Sequence, residues 1–181
     1  MTTFTSDWHS YTIPVWEKVV VPAMPQGRRR FLELGSYEGR SATWLIENAM
    51  SDGDELTCVD HWRDERVERR FAENTAGRAA IVKSDITKAL LSFIQAGREF
   101  DCIYIDGNHD GRVVLENAVL SWILLPRGGV LVFDDYRYAI PNEHSFGSID
   151  TKDGIDAFLR CYCLKMRVLH KAAQVVVVKE P

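Results

Sequence analysis

Short apolar runs and more polar stretches take turns along most of this chain. The apolar runs, broken by glycine, proline or acidic residues, predict strands near 30–34, 56–60, 79–83, 100–105 and 129–133. The stretches between and after them predict helices near 41–50, 64–74, 85–96, 111–124 and 152–162. Residues 8–24 predict a helical lead-in, interrupted at Pro14 and ended by Pro22 and Pro25. Two further apolar segments, 166–169 and 174–178, flank His170-Lys-Ala-Ala173, a connection short enough for an antiparallel pair.

Continuous apolar runs such as Cys102–Ile105 and Val130–Phe133 require burial on both faces, as in a parallel sheet covered by helices. The expected architecture is α/β: a doubly wound, mostly parallel seven-stranded sheet, helices on both faces, and an antiparallel C-terminal strand. No repeat or linker divides the chain. Residues 1–181 therefore predict a single domain, with 1–27 as a helical lead-in or lid and 28–181 as the core. Ligands of such sheets lie outside the carboxyl ends of the strands, where the strand order reverses.

Composition narrows the partners. A net charge of −4 argues against nucleic acid held by phosphate contacts, and Arg28-Arg29-Arg30 reads as a solvated approach to the first strand. No apolar stretch reaches the ~20 residues of a membrane span, and no signal peptide is visible. Four cysteines without a second pair at metal-binding spacing read as reduced thiols, so a cytoplasmic protein is expected. Trp8, Tyr11 and Trp16 are expected to be exposed and to serve as homodimer contacts.

The chemistry concentrates after the strands. Between the first strand and its helix lies Glu33-Leu-Gly35-Ser-Tyr-Glu-Gly39-Arg-Ser41, where two glycines let the backbone turn and lie flat against a ligand. This is not the Gly-x-Gly-x-x-Gly of dinucleotide sites, and Glu33 suits a cofactor carrying a positive group. Glu33 closes the first strand, Asp60 the second, Asp106 the fourth and Asp134-Asp135 the fifth; Ser84-Asp85 follow the third. Any one of these acids has a structural explanation as a helix cap, but their accumulation on one rim points to a ligand. Asp60 lies 25 positions beyond Gly35, near the interval that suits an acid for ribose hydroxyls. Trp62 reads either as a lid on an adenine face or as plain hydrophobic cover, and Ser84 and Asp85 as contacts to the adenine edge.

The Glu33–Ser41 string resembles the first motif of class I S-adenosylmethionine-dependent methyltransferases. Ile105-Asp-Gly-Asn-His109, the following helix, Pro126-Arg-Gly-Gly129 and Asp134-Asp135 resemble the small metal-dependent O-methyltransferases of the macrocin and catechol type. Arg127 is a minor departure from their proline-glycine-glycine turn. The resemblance implies a Rossmann-like fold and S-adenosylmethionine as cofactor, with Glu33, Gly35, Ser36, Tyr37, Gly39 and Ser41 at its methionine end, Asp60 on its ribose and Asp106 as a further cofactor contact. It also implies Mg²⁺ or another divalent cation on Asp106, Asp134 and Asp135, which are hard oxygen ligands. His109, with Asp106, would then be the catalytic pair, the imidazole taking the acceptor's proton.

The expected acceptor is a hydroxyl of a small molecule or sugar. The lead-in and the loop 136–151, with Tyr136, Tyr138, His144 and Phe146, are the material for a lid. A metal-independent methyltransferase, a nicotinamide-dependent dehydrogenase and a non-catalytic cofactor-binding module remain as alternatives.

Overall fold

A computed structural model describes residues 2–138 and 150–180, so His144 and Phe146 of the expected lid lie outside the described residues. Seven strands form one sheet: β1 (Arg30–Leu34), β2 (Glu55–Asp60), β3 (Ala80–Lys83), β4 (Cys102–Ile105), β5 (Val130–Phe133), β6 (Met166–Lys171) and β7 (Val175–Lys179). Their order is β3-β2-β1-β4-β5-β7-β6. β1 to β5 pair in parallel, and β7 runs antiparallel to both β5 and β6. The doubly wound sheet with one reversed strand is thus as expected.

Alternation along each strand divides the core between two faces. Leu32, Leu34, Ile103, Ile105, Leu131 and Phe133 pack with Leu90, Val114, Trp122 and Phe158 on one side. Those side chains come from α5 (Ile86–Gln95), α6 (Gly111–Leu124) and α7 (Thr151–Tyr162). Phe31, Cys58, Cys102, Tyr104, Val130 and Val132 face the other side, against Trp16, Val20, Trp44, Leu45 and Phe71. Because side chains point to opposite faces in turn, apolar residues at every position of β4 and β5 supply both cores.

The lead-in departs from its expectation in two respects. Helical structure runs from Ser10 through α1 (Ile13–Val15) and a π turn at Trp16–Val20 into α2 (Val21–Ala23), so Pro14 and Pro22 lie within it. Pro14 falls in the first turn, where a missing N–H costs nothing. Ahead of Pro22 the ladder widens, with Val21 N donating to Trp16 O, which relieves the clash a proline ring makes with the carbonyl four residues back. Trp16 is also fully buried, edge-on to Tyr104 at 5.0 Å, and so is no dimer contact; Trp8 and Tyr11 are exposed.

The order reverses between β1 and β4, and Gly35 makes that junction possible. Its φ is +92°, and a Cβ there would stand 2.6 Å from Asp106 C and from Gly107 Cα. Only a residue without a side chain lets the turn after β1 lie directly on the backbone after β4. A second close approach packs α7 on α6, where a Cβ on Gly154 would stand 2.8 Å from the Gly111 carbonyl carbon.

Candidate active site

The carboxyl ends of the strands open into one cleft of about 980 Å³. Gly35, Ser36, Tyr37, Ser41, Asp60, Trp62, Ser84, Asp85, Asp106, His109, Asp134 and Asp135 all line it. The topology therefore brings together residues from the ends of five strands. Gly39 caps α3 (Arg40–Trp44) with φ +79°, its Cα facing Phe71, so it shapes the turn from behind.

Asp60 organises the glycine turn. Its Oδ2 accepts from the backbone N–H of Ser36 (3.0 Å) and Tyr37 (2.9 Å), and its Oδ1 from Trp62 N (3.1 Å). A carboxylate has about four acceptor positions, and with the exposed His61 ring turned aside (Nδ1 is 3.3 Å from Oδ1) one is left for a ligand hydroxyl. Trp62 is 1% exposed: its ring packs on Phe71 at 4.8 Å and its Nε1 donates to Tyr37 O at 2.8 Å. These contacts make it a hydrophobic cover of the turn, and it also lines the cleft. Asp85 caps α5 by accepting from Lys88 N, a structural duty on the cleft wall, and Ser84 N donates to Asp60 O.

Glu33 lies beneath the turn. It is fully buried, with Ser41 Oγ and Cys58 Sγ donating to its carboxyl oxygens. Burial pushes its pKa up, and the two donors only partly oppose that. Its contact with a ligand would run through Ser41, which does line the cleft.

The acids after β4 and β5 occupy the other end. Burial, and then the charges of Asp134 and Asp135, push Asp106 well above the usual carboxylate range. Burial also raises Asp134, although Tyr104 and Gln174 donate to its Oδ2 and Asp135 N to its Oδ1. Asp135 adopts φ +57° and its Oδ2 stands 2.9 Å from His109 Nε2. A carboxylate there can only accept, so Nε2 carries the hydrogen and Nδ1 of the neutral ring is left with the lone pair. That hydrogen bond raises the His109 pKa above its ordinary value, against the effect of burial. His109 also packs against Tyr138, the rings tilted by 31° with centroids 4.3 Å apart. Among the described residues no three His, Cys, Asp or Glu side chains converge as metal ligands would.

The N-terminal segment closes one wall. Thr3 exchanges two hydrogen bonds with Asn74, and Thr5 N donates to Glu38 (2.7 Å), a buried carboxylate paired with Arg70. So anchored, the segment brings Ser6, Trp8, His9 and Tyr11 to the cleft. Partial burial and the carboxylates of Asp134, Asp135 and Asp106 push the Tyr11 hydroxyl up to about 12. No motif of the sequence singles out Tyr104, Gln174, Glu38 or His9. A lone tyrosine in the apolar run Cys-Ile-Tyr-Ile and a glutamine opening Val-Val-Val-Val are the local signals for the first two.

A glycine turn at the switch point of a doubly wound sheet, an acid at the end of β2 and an acidic rim beyond define a binding domain for a nucleoside-type ligand. The chain belongs to the methyltransferase domain family, whose match covers residues 32–136, from β1 past the Asp134-Asp135 pair. Comparison with the curated proteins returns no match. Among solved structures it is similar to an O-methyltransferase from Bacillus cereus in complex with SAH (18% identity, 97% of this chain and 84% of that one, TM-score 0.73). It is similar also to the O-methyltransferase TomG from Streptomyces achromogenes, bound to SAM (16% identity, 90% and 77%, TM-score 0.67). A third is the MycE methyltransferase of mycinamycin biosynthesis, in complex with Mg, SAH and mycinamycin VI (14% identity, 97% and 51%, TM-score 0.71). At these identities the likeness establishes a common fold. Among the described residues no helix is long and apolar enough to cross a membrane.

Proposed function

We propose that this methyltransferase moves the methyl group of S-adenosylmethionine to a hydroxyl oxygen of a small molecule or sugar. The observation that carries the reading is the His109–Asp135 pair, held at 2.9 Å in the same cleft as the glycine turn and Asp60. The cleft suits the donor in size and charge. Its volume is that of a site for a nucleoside-sized ligand, and its seven carboxyl-bearing side chains against two arginines favour a cation. The flat turn from Gly35 to Gly39 leaves room for the amino-acid end, and Asp60 has one acceptor position left for a ribose hydroxyl.

When bound, S-adenosylmethionine supplies an electrophilic methyl group on a sulfonium sulfur. The chain's own work is to remove the acceptor's proton and to hold the oxygen in line. His109 Nδ1 takes the proton from the hydroxyl, Asp135 fixes the ring and balances the imidazolium, and Tyr138 covers its face. Positioning at about 3–3.5 Å between the reacting atoms supplies much of the acceleration. Binding of S-adenosylhomocysteine by calorimetry, and label transfer from methyl-labelled S-adenosylmethionine to panels of sugars and phenols, test the proposal. The absence of any heat with the donor or its demethylated product would sink it.

A divalent cation such as Mg²⁺ is favoured by one observation: Asp106 and Asp134 are both raised, and Asp106 is destabilised by its neighbours' charges, which a hard cation would relieve. Asp106, Asp134 and Asp135 would hold it, and it would supply positive charge to acidify the acceptor hydroxyl. The Mg in the MycE complex supports this reading. Activity that survives exhaustive chelation would leave His109 as the sole means of activating the oxygen. Activity restored by Mg²⁺ after chelation would establish the metal.

A further inference from the structure

The proton transfer above makes no use of a second histidine on the cleft wall. His9 precedes the 3₁₀ turn Ser10–Thr12 and is 3% exposed, yet it lines the cleft. Its ring lies 5.6 Å from that of Trp44 and 6.0 Å from that of Trp16, centroid to centroid. Thr12 Oγ1 gives its only hydrogen to the His9 carbonyl oxygen at 2.8 Å. In its 3.3 Å contact with His9 Nδ1 the hydroxyl can therefore only accept, so the hydrogen of the ring resides on Nδ1. Burial, aided by the Arg40 charge, lowers the pKa of the ring to about 4 despite Asp7, so it is neutral at pH 7. Nε2 then carries a bare lone pair, and it has no hydrogen-bond partner among the described residues. A buried acceptor left unpaired is unfavourable, and one in a cleft wall calls for a functional or bound partner.

The surroundings indicate which ligand group. His9 packs against Trp44 of α3, the helix that the glycine turn opens, and the Arg40 charge that acts on it is paired with Asp7 at 3.4 Å. That is the end of the cleft assigned above to the amino-acid portion of the donor. At that end a lone pair attracts an ammonium and repels a carboxylate. We infer that His9 Nε2 accepts a hydrogen bond from the α-ammonium group of the bound methyl donor, making His9 a donor-binding residue. The inference rests on S-adenosylmethionine being the ligand, and its test separates the two ideas.

Calorimetry would compare S-adenosylhomocysteine with 5′-methylthioadenosine, which has the same nucleoside and thioether but no amino-acid end. In His9→Phe, affinity for S-adenosylhomocysteine should fall about 10- to 100-fold, the range expected for a hydrogen bond from a charged donor. Affinity for 5′-methylthioadenosine should not change, and His9→Gln, which keeps an acceptor, should recover part of the loss. Equal loss for both ligands, or none for either, overturns the inference while leaving the donor assignment intact. Failure of the wild-type protein to bind either ligand overturns both. Should the variants not fold, ¹⁵N-histidine spectra of the wild-type protein decide: the Nε2 resonance of His9 moves upfield on adding S-adenosylhomocysteine and stays in place with 5′-methylthioadenosine. A resonance that responds to neither ligand, or to both alike, refutes the contact.

Discussion

Replacing Gly35 by alanine tests whether the switch point depends on direct backbone contact. The substitution has two separable costs. An alanine held at φ +92° is strained by about 1–2 kcal/mol. Its Cβ would also stand 2.6 Å from Asp106 C and Gly107 Cα, neither of which can turn aside as a side-chain tip can. The strands must then part locally, weakening the bonds Asp106 N→Leu34 O (2.9 Å) and Gly35 N→Val59 O (2.8 Å). At about 1 kcal/mol for each bond the total comes to ~3–4 kcal/mol. For a domain of this size that lowers the melting temperature by about 6–16 °C. Gly53→Ala isolates the first cost, because Gly53 has φ +90° and a methyl group added there would meet nothing within 4 Å. Its loss should stay near 1–2 kcal/mol. Thermal denaturation followed by circular dichroism measures both variants. If Gly35→Ala and Gly53→Ala melt together, the backbone contact is not what shapes the junction and the reasoning fails. Gly35→Ala should also weaken S-adenosylhomocysteine binding, whereas Gly53→Ala should leave it alone.

Other consequences can be checked directly. His109→Ala should lower kcat by about 10²- to 10⁴-fold with little change in S-adenosylhomocysteine affinity, read from steady-state kinetics and calorimetry; an unchanged kcat would remove His109 from the chemistry. Because His9 titrates at about 4 when folded and near 6.5 when unfolded, only the unfolded chain gains its proton as pH falls through that interval. Its contribution to stability is therefore intact above pH 6.5 and declines by about 3 kcal/mol by pH 4, a slope that urea titrations should find reduced in His9→Phe. Asp54 is almost wholly buried and paired with Arg29 at 2.7 Å. Burial opposes its ionisation, but the hydrogen bonds from Ser51 and Arg29 hold its pKa below 3.8, so its stabilisation is present above that pH and lost below it. Asp54→Ala should cost about 3–5 kcal/mol by chemical denaturation, since it leaves Arg29 without its buried partner.

Much of this protein is written locally. Alternation and continuous apolar runs identify β1, β2, β4 and β5, because burial on two faces leaves its mark on every residue of a strand. The end of each strand is also local, so the sequence by itself put Asp60, Asp106, Asp134 and Asp135 on one rim and Gly35 at the turn. What these groups do was decided elsewhere. Glu33 is sealed under the turn by Ser41 and Cys58, 8 and 25 positions away. Asp134 is held by Tyr104 and Gln174, 30 and 40 positions away, and Asp135 is turned toward His109 across 26. The burial of Trp16 against Tyr104 likewise depends on a neighbour that no local pattern names. Hydrogen bonding and burial act through space, so residue type and spacing determine where a carboxylate or an imidazole stands along the sheet. Only the packed tertiary structure determines which group it faces, and hence whether it is charged, capped or left with a free lone pair for a ligand.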